Sequence, residues 1–127
     1  LSVNLLKLER IIEEFRKLDS EMQAQTMMAF LYISRNQDIQ QPVTVRDVGE
    51  HLGITSASAS RNIAALSKWH RHGKPGHGLV EAYENPARRI EKFIQLTPKG
   101  KRVAETIEEI LHGYNATKSE VASPRSG

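Results

Sequence analysis

The chain has 127 residues, 39% of them apolar, with a formal charge of +3, which are the proportions of one small globular domain. It has no Cys, which excludes disulfides, thiol catalysis and cysteine-oxidation sensing. No apolar run is long enough to span a membrane, and Leu1 to Leu18 is charged throughout, unlike a signal peptide. The chain starts at Leu1 rather than Met, so residues upstream of it are expected, and the composition suits a cytoplasmic protein.

Leu1, Leu5, Leu8, Ile12 and Phe15 recur at spacings of four and three, a heptad-like seam on a first helix. A second helix is expected from Ser20 to Arg35, with Ser20 and Gln23 as a capping box. Its Met27, Phe30, Leu31 and Ser34 lie near one face and read as core. Met27 and Met28 could line a ligand cleft, but core filling accounts for them more simply.

The segment Thr44 to Leu66, TVRDVGEHLGITSASASRNIAAL, predicts two short helices joined by a glycine turn. Thr44 caps the first, with Asp47 three residues on. Val45, Val48 and Leu52 share a face, and Gly53 supplies the conformation that stops the helix. Thr55 caps the second helix, whose Ala59, Ile63 and Leu66 make an apolar stripe. The opposite face carries Ala57, Ser58, Arg61, Ala64, Ala65 and Lys68. Small side chains let a helix approach base edges, and one long Arg can reach a guanine with its two-pronged donor. Ser56, Ser58 and the first-turn N–H groups suit phosphate oxygens. An ordinary solvent face would carry Glu and Lys pairs, yet Ser56 to Ser67 contains no acidic residue.

A basic, His-rich stretch follows, Lys68 to Gly78, with Trp69 as its expected apolar anchor or a base-stacking residue. Leu79 to Glu84 and Ile90 to Leu96 are strand-like, with Asn85, Pro86 and Ala87 turning between them and Arg88 and Arg89 at the tip. Ile90, Lys92, Ile94 and Leu96 alternate with Glu91, Phe93 and Gln95, and the first set, less its Lys, is the one expected to cover the helices. Thr97 caps a last helix with Pro98 in its first turn; Val103, Ile107, Ile110 and Tyr114 form its seam. The polar tail from about Lys118 to Gly127 is expected to be disordered.

Charge is segregated along the chain. Thr55 to Arg102 holds ten Lys/Arg against three acids, a balance of +7, while the remainder stands at −4. Such a basic half attracts a polyanion, with binding energy drawn from counterion release.

GITSASASRNIAAL followed by GLVEAYENPARRIEKFIQLTPKGKRV resembles the core of the multiple-antibiotic-resistance regulator (MarR) family of bacterial winged-helix repressors. The matching features are Gly53, Ser60-Arg61, Gly78-Leu79-Val80, Arg88-Arg89 and Leu96-Thr97-Pro98-Lys99-Gly100, over about half the chain. Three features depart from the family pattern. The stretch from Lys68 to Gly78 is long, Asn85-Pro86-Ala87 stand where the wing often carries an Asp, and the C-terminal part is short. The resemblance implies repression of a promoter and a small-molecule effector bound between the DNA-reading and dimer regions.

No enzymatic constellation stands out, and no cofactor or metal is called for. His70, His72 and His77 have spacings that could hold zinc, but no Cys or nearby carboxylate completes a motif, and they read as basic surface.

The expected architecture is mainly α with a small β-hairpin wing: a winged helix-turn-helix over residues 1–117, with flanking N- and C-terminal dimerisation helices. The expected function is a sequence-specific regulator of transcription, a repressor, binding double-stranded DNA as a homodimer on a palindromic operator in a bacterial cytoplasm, host-, phage- or plasmid-encoded. The DNA-binding residues expected are Thr44, Arg46, Thr55, Ser56, Ala57, Ser58, Ser60, Arg61, Lys68, Arg88 and Arg89. The alternatives are a winged-helix protein-interaction module and a phage or plasmid DNA replication or packaging factor; sequence-selective, salt-dependent duplex binding separates them.

Overall fold

A computed structural model describes residues 2–68 and 75–113. The elements run α1 (Ser2–Leu18), α2 (Ala24–Arg35), β1 (Val43–Thr44), α3 (Val45–Leu52), α4 (Ser56–Leu66), β2 (Val80–Asn85), β3 (Arg88–Leu96) and α5 (Pro98–His112). This is the expected mainly helical chain with a hairpin wing. Its described residues form two compact units, 2–21 with 102–113, and 22–68 with 75–101.

In the first unit Ile11, Phe15, Ile107 and Ile110 are buried. The α1 seam is otherwise open: Leu5 is 65% exposed and Leu8 55%, with Val3, Leu6 and Ile12 also exposed. Lys7 Nζ donates to the Leu111 carbonyl at 3.1 Å, a cation at the C-terminal end of α5 where free carbonyls favour one. Tyr114 and the polar tail lie outside the described residues.

The second unit is built on α2, α3, α4 and a three-stranded antiparallel sheet in the order β1-β3-β2. Phe30, Ile33, Val48, Leu66, Leu79, Val80 and Ile94 are almost fully buried in it. Each such side chain contributes roughly 1.5–3 kcal/mol of hydrophobic stabilisation. The α3–α4 pair follows the sequence closely. Thr44 and Asp47 form a reciprocal capping box, Asp47 N donating to Thr44 Oγ1 and Thr44 N to Asp47 Oδ2, both at 3.0 Å. Gly53 takes φ 68°, the left-handed conformation that lets the chain leave α3 at once.

Four sequence expectations are corrected here. The second helix starts at Ala24, not Ser20: Asp19 Oδ1 accepts the Glu21 N–H in a local turn, and Gln23 is the N-cap without a side-chain bond. The buried face of α2 is Thr26, Ala29, Phe30 and Ile33, whereas Met28 and Leu31 are exposed and Met27 and Ser34 half-buried. That start and that face differ together, because they assign a different set of residues to the inward stripe. The strand β1 has no signal in the sequence: two residues after Pro42 carry no alternation, and only pairing with β3 (Val43↔Ile94, Thr44↔Phe93) makes them a strand. In β3, Ile94 and Leu96 are buried, but Ile90 is 96% exposed, and both hairpin strands run further towards the turn than their apolar residues suggest.

The start of α5 is fixed by close packing. Thr97 Oγ1 accepts the Gly100 N–H at 3.0 Å and donates to the Gly78 carbonyl at 2.6 Å. A Cβ at Gly100 would collide with the Leu79 carbonyl, so this Gly is a matter of contact rather than conformation.

Candidate nucleic-acid interface

The helix α4 begins with Thr55, whose Oγ1 accepts the Ser58 N–H at 3.1 Å. Its inner face is Ala59, Asn62, Ile63 and Leu66, all buried. Ser56, Ala57, Ser60 and Arg61 are exposed, as is Lys68 beyond the helix end; Ser58, Ala64 and Ala65 are half-buried. The outward face is thus narrower than helical periodicity suggests, and Ser60 belongs to it.

One of the inner residues is polar. Asn62 Oδ1 accepts the Thr26 hydroxyl at 2.7 Å, and Asn62 Nδ2 donates to Gln25 Oε1 at 2.8 Å and to the Ser58 carbonyl at 2.9 Å. Gln25 Oε1 also accepts the Ser58 hydroxyl at 3.2 Å. Both Thr26 and Asn62 are only 6% exposed. A buried polar group is costly unless satisfied, and here every Asn62 group is. The network pins α4 to the first turn of α2.

The other end of α4 is held by the returning chain. The N–H groups of Gly76, His77, Gly78 and Leu79 donate to the carbonyls of Lys68, Ala65, Ser67 and Leu66 at 2.7–3.1 Å. Ala65 and Leu66 are among the carbonyls that a helix leaves without partners at its C-terminus. The segment leaving at Lys68 therefore comes back to the same point by Gly76. Trp69, His70, Arg71, His72 and Lys74 lie outside the described residues, and with them two of the three His considered for zinc. Among the described residues no group of three His, Cys, Asp or Glu is placed to hold a metal ion.

Beside α4 runs an open groove of about 710 Å³, lined by residues of α3, the turn, α4 and β3. It brings together Thr44, Arg46, Ser56, Ser60 and Arg88 from the expected set, and adds Ile90, Glu91 and Lys92. Thr55, Ala57, Ser58, Arg61, Lys68 and Arg89 do not line it. Thr44 is buried with its hydroxyl engaged in the α3 cap, and Ser58 turns its hydroxyl towards α2. Arg46 pairs with Glu50 at 3.1 Å on the open surface, where such a pair contributes little. Lys92 pairs loosely with Glu84 at 3.6 Å. Arg61, Lys68, Arg88 and Arg89 have no carboxylate partner among the described residues.

The turn between β2 and β3 is organised by Asn85. Its Oδ1 accepts the Ala87 N–H at 2.9 Å, and its Nδ2 donates to Glu91 Oε1 at 2.7 Å. Only a neutral amide can make both contacts, since an ionised Asp has no donor for the Glu91 carboxylate and would repel it. Arg88 pairs with Asn85, so the arginines open β3 rather than form the turn itself.

No family model matches the sequence, and no curated protein matches it. Solved structures do match. MepR of S. aureus in complex with DNA superposes with a TM-score of 0.65 at 19% identity, over 91% of this chain and 81% of that one. An S. aureus MepR mutant bound to an oligodeoxyribonucleotide gives 0.69 at 18% identity, over 97% and 80%. A mutant of E. coli MarR complexed with operator DNA gives 0.60 at 19% identity, over 90% and 71%. The chain has the MarR-type winged-helix fold.

In that fold α3 and α4 are the helix-turn-helix and the β2–β3 hairpin is the wing. Sequence reasoning missed Gln25 and Asn62, which seat the second helix of the pair, and Lys92 and Ile90 on the wing. Asn62 had a signal, since it is the one amide in the stretch from Ile54 to Leu66 and falls on the side of the apolar stripe. Gln25 had none, because its role depends on how α2 meets α4.

Proposed function

We propose that this chain is a sequence-specific regulator of transcription that binds double-stranded DNA. The helix α4 enters the major groove through Ser56, Ala57, Ser60 and Arg61, with Arg61 reading a base. The sugar-phosphate backbone beside it lies in the groove lined by Arg46, Arg88 and Lys92. Thr55 and Ser58 serve by shaping the first turn of α4, Thr44 by capping α3, and Lys68 and Arg89 extend the basic surface at either end. Supporting this most directly is a helix face of small residues and one Arg without a carboxylate partner, beside an open groove lined by Arg46, which pairs with Glu50, and by Arg88, which has no carboxylate partner among the described residues. Several structural neighbours are seen bound to DNA, which agrees with it.

The exposed α1 residues Leu5, Leu8 and Ile12 support a homodimer, which would present two copies of α4 to a palindromic operator. Repression by occupying a promoter is the simplest use of such a dimer, in the cytoplasm of a bacterial cell. No helix among the described residues is long and apolar enough to cross a membrane.

The test is selection of bound duplexes from a random DNA pool, followed by affinity measurement over a range of salt. Enrichment of a two-fold symmetric motif, with affinity falling steeply as salt rises, is the expected result. A pool that stays random, or binding indifferent to salt, would refute it.

A further inference from the structure

The wing is more than a hairpin with arginines at its end. Its register passes from Glu84↔Lys92 to Asn85↔Arg88, so one step along β2 corresponds to four along β3. Arg89, Ile90 and Glu91 thus bulge out between paired positions. Glu91 is tied back by Asn85 at 2.7 Å, which leaves Arg89 and Ile90 projecting. Ile90 is 96% exposed, the most exposed large apolar residue among the described residues, and it stands on the wall of the groove shared with Arg46, Ser56, Ser60 and Arg88. Single exposed apolar residues are ordinary on protein surfaces. This one lies among Arg88, Arg89 and Lys92, at a bulge, where a strand contributes least to packing and most to presenting a side chain.

We infer that Ile90 is an apolar minor-groove contact that makes the wing prefer A·T over G·C pairs in the flank of the binding site. This deepens the duplex-DNA function proposed above and rests on it. With α4 in the major groove, the backbone crosses the groove beside it and the wing reaches the next minor groove. There an A·T pair presents only acceptors, while a G·C pair adds the guanine amino group on the groove floor. The flanking guanidinium groups can donate to acceptors, but Ile90 has no acceptor to offer an amino group. The amino group also occupies the space into which the branched side chain must enter. Apolar side chains used as wedges in minor grooves act on this principle. Because a β-branched side chain has few rotamers to lose, the contact costs little ordering.

The experiment compares wild type and Ile90→Thr on three versions of the selected duplex, differing only under the wing: A·T, G·C or inosine·cytosine pairs. Inosine removes the guanine amino group and leaves the rest of the minor-groove floor unchanged. Wild type should bind the A·T and inosine duplexes alike and the G·C duplex about tenfold more weakly, in line with typical costs per unfavourable pair. In Ile90→Thr the three affinities should converge to within about twofold, with melting temperature unchanged because the residue is exposed. Equal wild-type affinities would overturn the inference. So would a preference that survives in Ile90→Thr, which would place the readout on Arg88 and Arg89. A uniform loss on all three duplexes would assign Ile90 a role in wing shape instead, and would also overturn it. Failure to select any duplex is a separate result, which defeats the proposed function itself.

Discussion

Asn62→Ala tests whether the seat of α4 is polar in the way its hydrogen bonds indicate. The substitution removes three hydrogen bonds, to Thr26, Gln25 and the Ser58 carbonyl. At about 1 kcal/mol net for each bond, plus about 1 kcal/mol for the Thr26 hydroxyl left buried without its acceptor, the loss is about 3–4 kcal/mol. For a domain of this size that is a fall in melting temperature of roughly 10 °C or more. Equilibrium urea unfolding followed by circular dichroism measures it directly. The distinguishing step is the pair Thr26→Val with Asn62→Leu, which removes donor and acceptor together and leaves Gln25 bonded to the Ser58 hydroxyl. That double variant should recover more than half of the loss, since the penalty lies in orphaned groups rather than in absent bonds. If Asn62→Ala lies within about 0.5 kcal/mol of wild type, the network contributes nothing measurable and the argument fails. If the double variant is as unstable as the single one, packing rather than hydrogen bonding seats the helix.

Three further outcomes follow from the interface. Arg61→Ala should lose about 1–3 kcal/mol on the selected site and much less on random duplex; an equal fall on both would make Arg61 a phosphate contact. Arg88→Ala with Arg89→Ala should flatten the salt dependence of binding by about one unit of slope per lost phosphate contact, and an unchanged slope would take the wing off the DNA. Leu5→Glu with Ile12→Glu should convert a sedimenting dimer to a folded monomer that binds a half-site weakly, because carboxylates would have to be buried along the α1 seam. A wild-type chain that is already monomeric and binds as one copy would sink the dimer.

Legibility in the sequence followed the range of the interaction. Thr44, Asp47, Gly53, Thr55 and Pro98 act on backbone within four residues of themselves, and the helices they bound stand where the sequence placed them. The face of α4 was readable from its period because Ala59, Ile63 and Leu66 are all buried by the same unit. The sequence was less legible where a residue's partner was not the one its pattern named, whether beside it or far along the chain. Ser20 looks like a cap until Asp19 takes the Glu21 N–H. Val43 and Thr44 become a strand only against Ile94 and Phe93. Ile90 has the parity of a core position but lies beyond the reach of the layer that covers Ile94. Thr44 and Ser58 carry suitable hydroxyls for phosphate, but caps and helix contacts within the fold already use them. Composition identifies which residues could touch a ligand, and only the three-dimensional hydrogen-bond account says which are still free to do so.

The helix α4 and the wing are built differently. The helix is held at both ends by satisfied polar groups, through Asn62 and Gln25 on one side and the four N–H groups of residues 76–79 on the other. Base recognition by one bidentate side chain needs its position fixed closely, since a displacement of an ångström breaks both bonds. The wing's projecting residues Arg89 and Ile90 have no such support, and Arg88 is held through its pairing with Asn85 alone. Contacts to phosphate and to the minor-groove floor tolerate small displacements, because Coulomb attraction varies gradually with distance and apolar contact has no direction. On the proposed function, hydrogen-bonded support is therefore concentrated where discrimination by hydrogen-bond pattern would be required, and the wing, proposed to read charge and groove shape, carries less of it.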